Sequence, residues 1–322
     1  MLGSTPSRRQ FLHAVGALGL GAVAAACTKG STTDNPTGAA PSGAPGSMNA
    51  MKNGATQLSL LSSNTKVNPG KQRFGFDLVA SDGSLISSGS PEVWLATDPA
   101  AKARGPYAST WYEFTGYGKT GDHSPKTVIP GTFVADIDIP ETGNWFVAAT
   151  IESGSHRAFG SGGLPVVSGK VPCQIGAKAT PVATPVATTT NGLEAICTRI
   201  PVCHLHSISL DKALANGKPT VISFSTPLLC QSQMCGPVLD ELILVSQAKA
   251  GKANFVHVEE FLPGPDHKPP AATLANQSPG FKAWKLETEP WTVVVDGKGI
   301  IRWHAEGPAM APEIEAALNK VL

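Results

Sequence analysis

The chain has 322 residues, a formal net charge of +1, and 15% charged against 41% hydrophobic residues. That balance excludes a nucleic-acid binder working by phosphate neutralisation, which needs a strong basic excess. The length exceeds the roughly 100–200 residues of one domain, so two folded units are expected, and 34 Gly with 27 Pro point to soft linkers around them.

The first 27 residues read as an address. Ser7-Arg8-Arg9-Gln10-Phe11-Leu12 precedes a Gly/Ala-rich apolar run from Ala14 to Ala26, which ends at Cys27. The run falls short of the roughly 20 helical residues that span a bilayer, and its glycines weaken a helix interior. The paired arginines resemble a twin-arginine signal peptide. Ala24-Ala25-Ala26-Cys27 resembles a bacterial lipobox, with Ala24 where Leu is usual. These resemblances imply export, lipidation at Cys27 and an extracytoplasmic, membrane-anchored location where disulfides persist.

Residues 28–57, rich in Ser, Thr, Gly, Pro and Ala, read as a flexible tether. Residues 58–172 read as β. Phe74, Phe76 and Leu78 alternate with polar neighbours, as do Phe133, Ala135, Ile137 and Ile139, and again Trp145, Val147, Ala149 and Ile151. Period two with turn residues between runs predicts half-buried strands and a small β-sandwich. The Pro140-Glu141-Thr142-Gly143-Asn144-Trp145 stretch resembles immunoglobulin-like domains of bacterial surface proteins, which implies a binding or spacer role. His123 and His156 are isolated and read as loop histidines. Residues 173–195 carry the doublet Thr180-Pro181-Val182-Ala183 and Thr184-Pro185-Val186-Ala187, read as an extended linker.

Residues 196–322 alternate strand and helix. Pro219 to Phe224 is a continuous apolar run suited to a buried central strand. Val238, Leu239, Leu242 and Val245 recur at helical spacing. Asn254–Val258 and Trp291–Val295 are further strands, and Asp296-Gly297 turns the second into a hairpin with Ile300, Ile301 and Trp303. Ile314, Ala317, Leu318 and Leu322 mark a closing helix, giving a mixed α/β unit. Phe261–Pro270 is too rich in proline for a helix. Phe281, Trp284 and Leu286 read as a short helix packed on the sheet.

In that order, Cys230 just after the first buried strand, Cys235-Gly236-Pro237 opening a helix, and Glu289-Pro290-Trp291 before the hairpin resemble the thioredoxin fold. Together with Ile196-Cys197-Thr198-Arg199 they resemble exported bacterial thioredoxin-like lipoproteins. The resemblance implies a cis-proline at Pro290 that presents backbone to an extended substrate, and thiol–disulfide exchange with thiols or disulfides of exported proteins. That chemistry calls for no added cofactor. A thiolate at a helix N-terminus faces unpaired N–H groups, which lowers its pKa, and a neighbouring thiol can resolve the mixed disulfide. Cys230 is thus the candidate nucleophile and Cys235 the resolving thiol. Four residues separate them, against two in thioredoxins. On an ideal helix such positions lie about 8–9 Å apart, beyond disulfide reach, so the 230–235 segment must be partly non-helical. A helix starting near Gly236 would turn its dipole on Cys235 and exchange the roles.

Three other functions stay open. A non-enzymatic envelope binding protein would use its cysteines structurally. Peroxiredoxin-like peroxidases share the Cys-x4-Cys spacing and need an arginine near the thiolate, for which Arg302 is the candidate. Copper delivery of the Sco type would add a distant His257 or His304 to Cys230 and Cys235. Cys197 and Cys203 read as a short structural disulfide, although with His204 and His206 they also supply the ligand types of a tetrahedral zinc or copper site. Cys173 is left over, either free or exchanging with that pair.

Overall fold

A computed structural model describes residues 43–116, 129–230, 234–264 and 273–322. The signal-like segment, Cys27, residues 28–42 of the tether, His123 and positions 265–270 of the Pro-rich loop lie outside them. No helix among the described residues is long and apolar enough to cross a membrane.

Part of the stretch read as tether is folded. Ser47 caps a short helix, α1 (Met48–Lys52), by accepting the Ala50 N–H, and Met48 is buried. Seven strands follow: β1 (Thr56–Ser62), β2 (Gly70–Val79), β3 (Glu92–Ala96), β4 (Arg104–Glu113), β5 (Gly131–Ile139), β6 (Gly143–Ser153) and β7 (His156–Val166). The alternating residues of β2, β5 and β6 face one core, where Phe74, Phe76, Phe133, Ile137 and Trp145 pack together. The region is all-β, but it does not divide into two separate sheets. Its strands run β1-β2-β5-β4-β3-β6-β7 and close into a barrel. Two pairings make the closure: antiparallel β3 with β4, and parallel β1 with β7.

The C-terminal region carries α2 (Leu210–Ala215), β8 (Thr220–Phe224), α3 (Cys235–Ala248), β9 (Asn254–Val258), α4 (Pro279–Trp284), β10 (Trp291–Val295), β11 (Ile301–Glu306) and α5 (Ala311–Asn319). Its sheet has the order β11-β10-β8-β9. β8 and β9 are parallel, and β10 is antiparallel to both neighbours. Every residue of β8 and β10 is buried, because alternate side chains feed two apolar layers. Val221 and Val294 pack with Val238, Leu242, Ile314 and Leu318 of α3 and α5. Ile222, Phe224, Val293 and Val295 pack on the other face with Phe281 and Trp284 of α4.

The 173–195 stretch is not an extended spacer. It lies along this second unit: Ala179 donates its N–H to the Gly299 carbonyl at 2.9 Å, Trp284 Nε1 donates to the Thr180 carbonyl at 3.0 Å, and Ala187 donates to the His206 carbonyl at 2.9 Å.

The barrel is docked on the sheet unit, and the described residues form one compact body. Arg73 of β2 makes a two-pronged pair with Glu313 of α5, at 2.7 and 2.9 Å, and donates to the Pro308 carbonyl. Glu241 of α3 accepts backbone N–H groups from Thr115 and Gly116, beyond β4, and from Ala311 of α5. A Cβ at position 116 would stand 2.7 Å from the Asp240 carbonyl, so only glycine allows that approach.

Candidate active site

Strand register brings the sequence-predicted residues to one end of the sheet. Phe224, the last residue of β8, pairs with Trp291 at the start of β10 and with Val258 at the end of β9. The segments that follow or precede these residues, 225–230, 259–260 and 289–290, therefore converge.

Cys230 and Cys235 are joined as a disulfide, with their Cα atoms 5.9 Å apart. The spacing problem is solved by leaving Cys230 outside the helix. It ends a turn in which its N–H donates to the Thr226 carbonyl at 3.0 Å, and α3 begins at Cys235. The backbone N–H of Cys235 then donates to Cys230 Sγ at 3.3 Å. The open end of α3 thus addresses Cys230, not Cys235, and favours negative charge on that sulfur. Exposure separates the pair in the same sense: Cys230 is 9% exposed and Cys235 0%.

Pro290 follows a cis peptide bond at this edge. Its neighbour Glu289 is a functional candidate that the sequence reading passed over. One of its carboxylate oxygens and the two sulfurs all lie within 4.8 Å of one another. Burial, with the nearby Glu260 and Glu259 carboxylates, pushes its pKa up to about 9 against hydrogen bonds from Thr226. A carboxyl protonated at neutral pH therefore stands beside the disulfide. Thr226 fixes the turn, because its hydroxyl oxygen accepts the N–H groups of Glu260 and Phe261 at 2.7 and 3.1 Å.

The remaining cysteines and histidines fall elsewhere. Cys197 and Cys203 are not a disulfide: their sulfurs are 3.9 Å apart. His204, grouped with them by sequence, turns away, its Nε2 lying 2.8 Å from Ser246 Oγ. Its place is taken by His257 of β9, whose Nδ1 lies 3.7 Å from Cys197 Sγ and 3.4 Å from Cys203 Sγ. His257 is thus held at the second cysteine pair. His304 sits against Trp291, with Nδ1 2.8 Å from the Cys173 carbonyl. Among the described residues the third metal-type donor beside Cys230 and Cys235 is Glu289, and neither His257 nor His304 joins them as a Sco-type copper site would require. Arg302 pairs with Asp296 at 2.7 Å, at the end of β10 away from Pro290, and does not serve the thiolate as a peroxidase would require. Cys173 is buried in the α4-side layer, whereas Cys197 and Cys203 belong to the α3-side layer. Burial, then the Glu306 charge, raises the Cys173 pKa.

The strand–helix–strand unit, the hairpin, the closing helix and the cis peptide bond ahead of Pro290 follow the element order expected from the sequence. The C-terminal region is a mixed α/β unit. No family model and no curated protein matches the chain. Among solved structures it is similar to a thiol:disulfide interchange protein of the thioredoxin family from Chlorobium tepidum TLS, at 14% identity over 45% of this chain and 99% of that one, with a TM-score of 0.28. It is also similar to titin M4, at 14% identity over 34% of this chain and 93% of that one, with a TM-score of 0.18.

Proposed function

We propose that this chain is an extracytoplasmic thiol–disulfide oxidoreductase, exported by the twin-arginine route, held to the membrane by lipid at Cys27, and acting on thiols or disulfides of exported proteins. The observation that carries the reading is the Cys230–Cys235 bond at the start of α3, with its outer sulfur facing a helix N–H and a protonated carboxyl beside it.

In the reduced form the Cys230 thiolate attacks a substrate disulfide, forms a mixed disulfide and releases one substrate thiolate, which takes up a proton. Cys235 then attacks Cys230 Sγ as its proton passes to Glu289, whose own carboxyl proton has first been released to solvent. The second substrate thiol leaves, and two electrons have passed from the enzyme dithiol to the substrate. In the reverse direction a substrate thiolate attacks Cys230 Sγ of the enzyme disulfide. The buried Cys235 thiolate that departs is neutralised by the Glu289 carboxyl proton, which avoids stranding an unpaired charge in a dry site.

For the barrel we propose an immunoglobulin-like spacer or partner-binding role. Reading β1 to β7 as A to G, the order contains A-B-E-D and C-F-G, the two strand sets of that fold, joined here by the β3–β4 and β1–β7 pairings.

The test is trapping. Cys235→Ser in the exported chain is expected to accumulate mixed disulfides between Cys230 and envelope proteins, resolved by reductant on a gel. Absence of trapped partners, with disulfide exchange by the variant undiminished, contradicts the dithiol scheme.

A further inference from the structure

We infer that Cys197, Cys203, His206 and His257 form a closed tetrahedral site for one zinc ion, separate from the Cys230–Cys235 pair. The two sulfurs and one ring nitrogen of each histidine all lie within 4.8 Å of one another, and all four residues are buried. Zinc bonds of about 2.3 Å to sulfur and 2.0–2.1 Å to nitrogen, at tetrahedral angles, set sulfur–sulfur distances near 3.8 Å and sulfur–nitrogen distances near 3.6 Å. The chain places its sulfurs 3.9 Å apart and the Nδ1 of His257 at 3.7 and 3.4 Å from them.

The imidazoles are arranged as ligands. His257 Nε2 lies 2.9 Å from the Ser225 carbonyl. Donating there fixes the tautomer and leaves the Nδ1 lone pair facing the sulfurs, the outer-shell support that metal-bound histidines usually have. Among the described residues the buried His206 Nε2 has no hydrogen-bond partner, a costly state for a polar atom that a metal would relieve. A Cys197–Cys203 disulfide does the opposite: it would draw the sulfurs together to about 2.05 Å and leave both imidazoles facing an inert bond. Two thiolates and two imidazoles with all four positions filled by protein select zinc over the harder cations. The cleft lined by Ile196, Leu262, His206 and His257 provides access. Binding displaces protons from its ligands and transfers no electrons, so affinity rises with pH.

Such an ion would pin residues 197–206, which hold few regular backbone bonds, to β9. That segment reaches the redox edge directly. Thr198 donates its N–H to Glu259 Oε1 at 2.6 Å, and its hydroxyl oxygen accepts the Leu228 N–H at 3.4 Å. The role is structural, with no open position for substrate.

The test counts metal in the full chain by plasma mass spectrometry and titrates the reduced, chelator-stripped protein with cobalt(II), whose tetrahedral thiolate–imidazole complexes absorb visibly. One equivalent of zinc is expected in the wild type and in a Cys230→Ser/Cys235→Ser variant, so the result is independent of the redox reading. Cys203→Ser and His257→Asn are expected to bind at least about tenfold more weakly. The wild-type stoichiometry keeps the test decisive if either variant misfolds. Reduced wild type that takes up neither zinc nor cobalt at micromolar concentration overturns the inference, as does zinc that persists unchanged in both ligand variants.

Discussion

Replacing Glu289 by Gln is expected to slow reduction of the Cys230–Cys235 bond by a small dithiol about a hundredfold at neutral pH, the usual scale for removing a positioned general acid. The amide keeps the shape but has no transferable proton for the departing Cys235 thiolate. The pH dependence carries the mechanism. With the Glu289 pKa raised to about 9, the wild-type rate, corrected for the thiolate fraction of the reductant, stays level through neutrality and falls above that value. The variant starts lower and shows no such fall. Stability moves in a related way. A folded-state pKa raised from an ordinary 4.5 means that the proton is held more tightly in the folded chain. The contribution is complete below 4.5 and is lost as pH rises through about 9. Glu289→Gln should therefore gain on the wild type in urea unfolding as pH rises across that window. A variant with wild-type rate and profile would remove Glu289 from the chemistry.

The second large effect belongs to a buried ion pair. Arg199 donates to Asp240 Oδ1 of α3 through Nε and Nη2, at 3.2 and 3.1 Å, with side-chain exposures of 2% and 0%. Arg199 also donates to the Pro201 carbonyl at 2.8 Å. Arg199→Met removes the guanidinium from a carboxylate in the protein interior, and a loss of about 3–5 kcal/mol is expected in chemical denaturation. Adding Asp240→Leu should return much of that loss, because the pair gains little over apolar packing once desolvation is counted. A single variant that loses less than about 1 kcal/mol would mean the pair is far better solvated than its exposure implies.

Much of this architecture is legible in the sequence because it is written locally. Continuous apolar runs announced β8 and β10, and Asp296-Gly297 announced the hairpin. Cys230, Cys235-Gly236-Pro237 and Glu289-Pro290 lie close to elements whose ends the pattern fixes, so their meeting at one edge could be foreseen. What escaped depends on distant residues. β7 is interrupted by Gly160, Gly162, Gly163 and Pro165 and shows no apolar alternation, yet its pairing with β1 closes the barrel. His257 sits inside an ordinary strand pattern, more than fifty residues from Cys203, and only the parallel pairing of β8 and β9 with the return of the 197–206 segment brings it to the sulfurs. His204 looked the better ligand because it adjoins Cys203, but its ring turns to Ser246. Glu289 carried one available signal, a carboxylate beside a proline at the start of a fully buried strand. Its elevated pKa comes from burial and then from Glu260 and Glu259 at another strand's end, which spacing along the chain does not reveal.

Thiol–disulfide exchange requires the Cys230–Cys235 bond to be an exchangeable pair, with Cys230 the sulfur that meets substrate. Its reduction potential, measured by equilibration with defined dithiol buffers and mass-resolved alkylation, tests this most directly. A catalytic pair, its reduced form favoured by the Cys235 N–H on Cys230 and its buried partner kept neutral beside a carboxyl, should lie above about −300 mV. Cys230 should be the first of the two to be alkylated. A potential well below that value, or first alkylation at Cys235, would mark an inert structural bond or reversed roles and contradict the proposal.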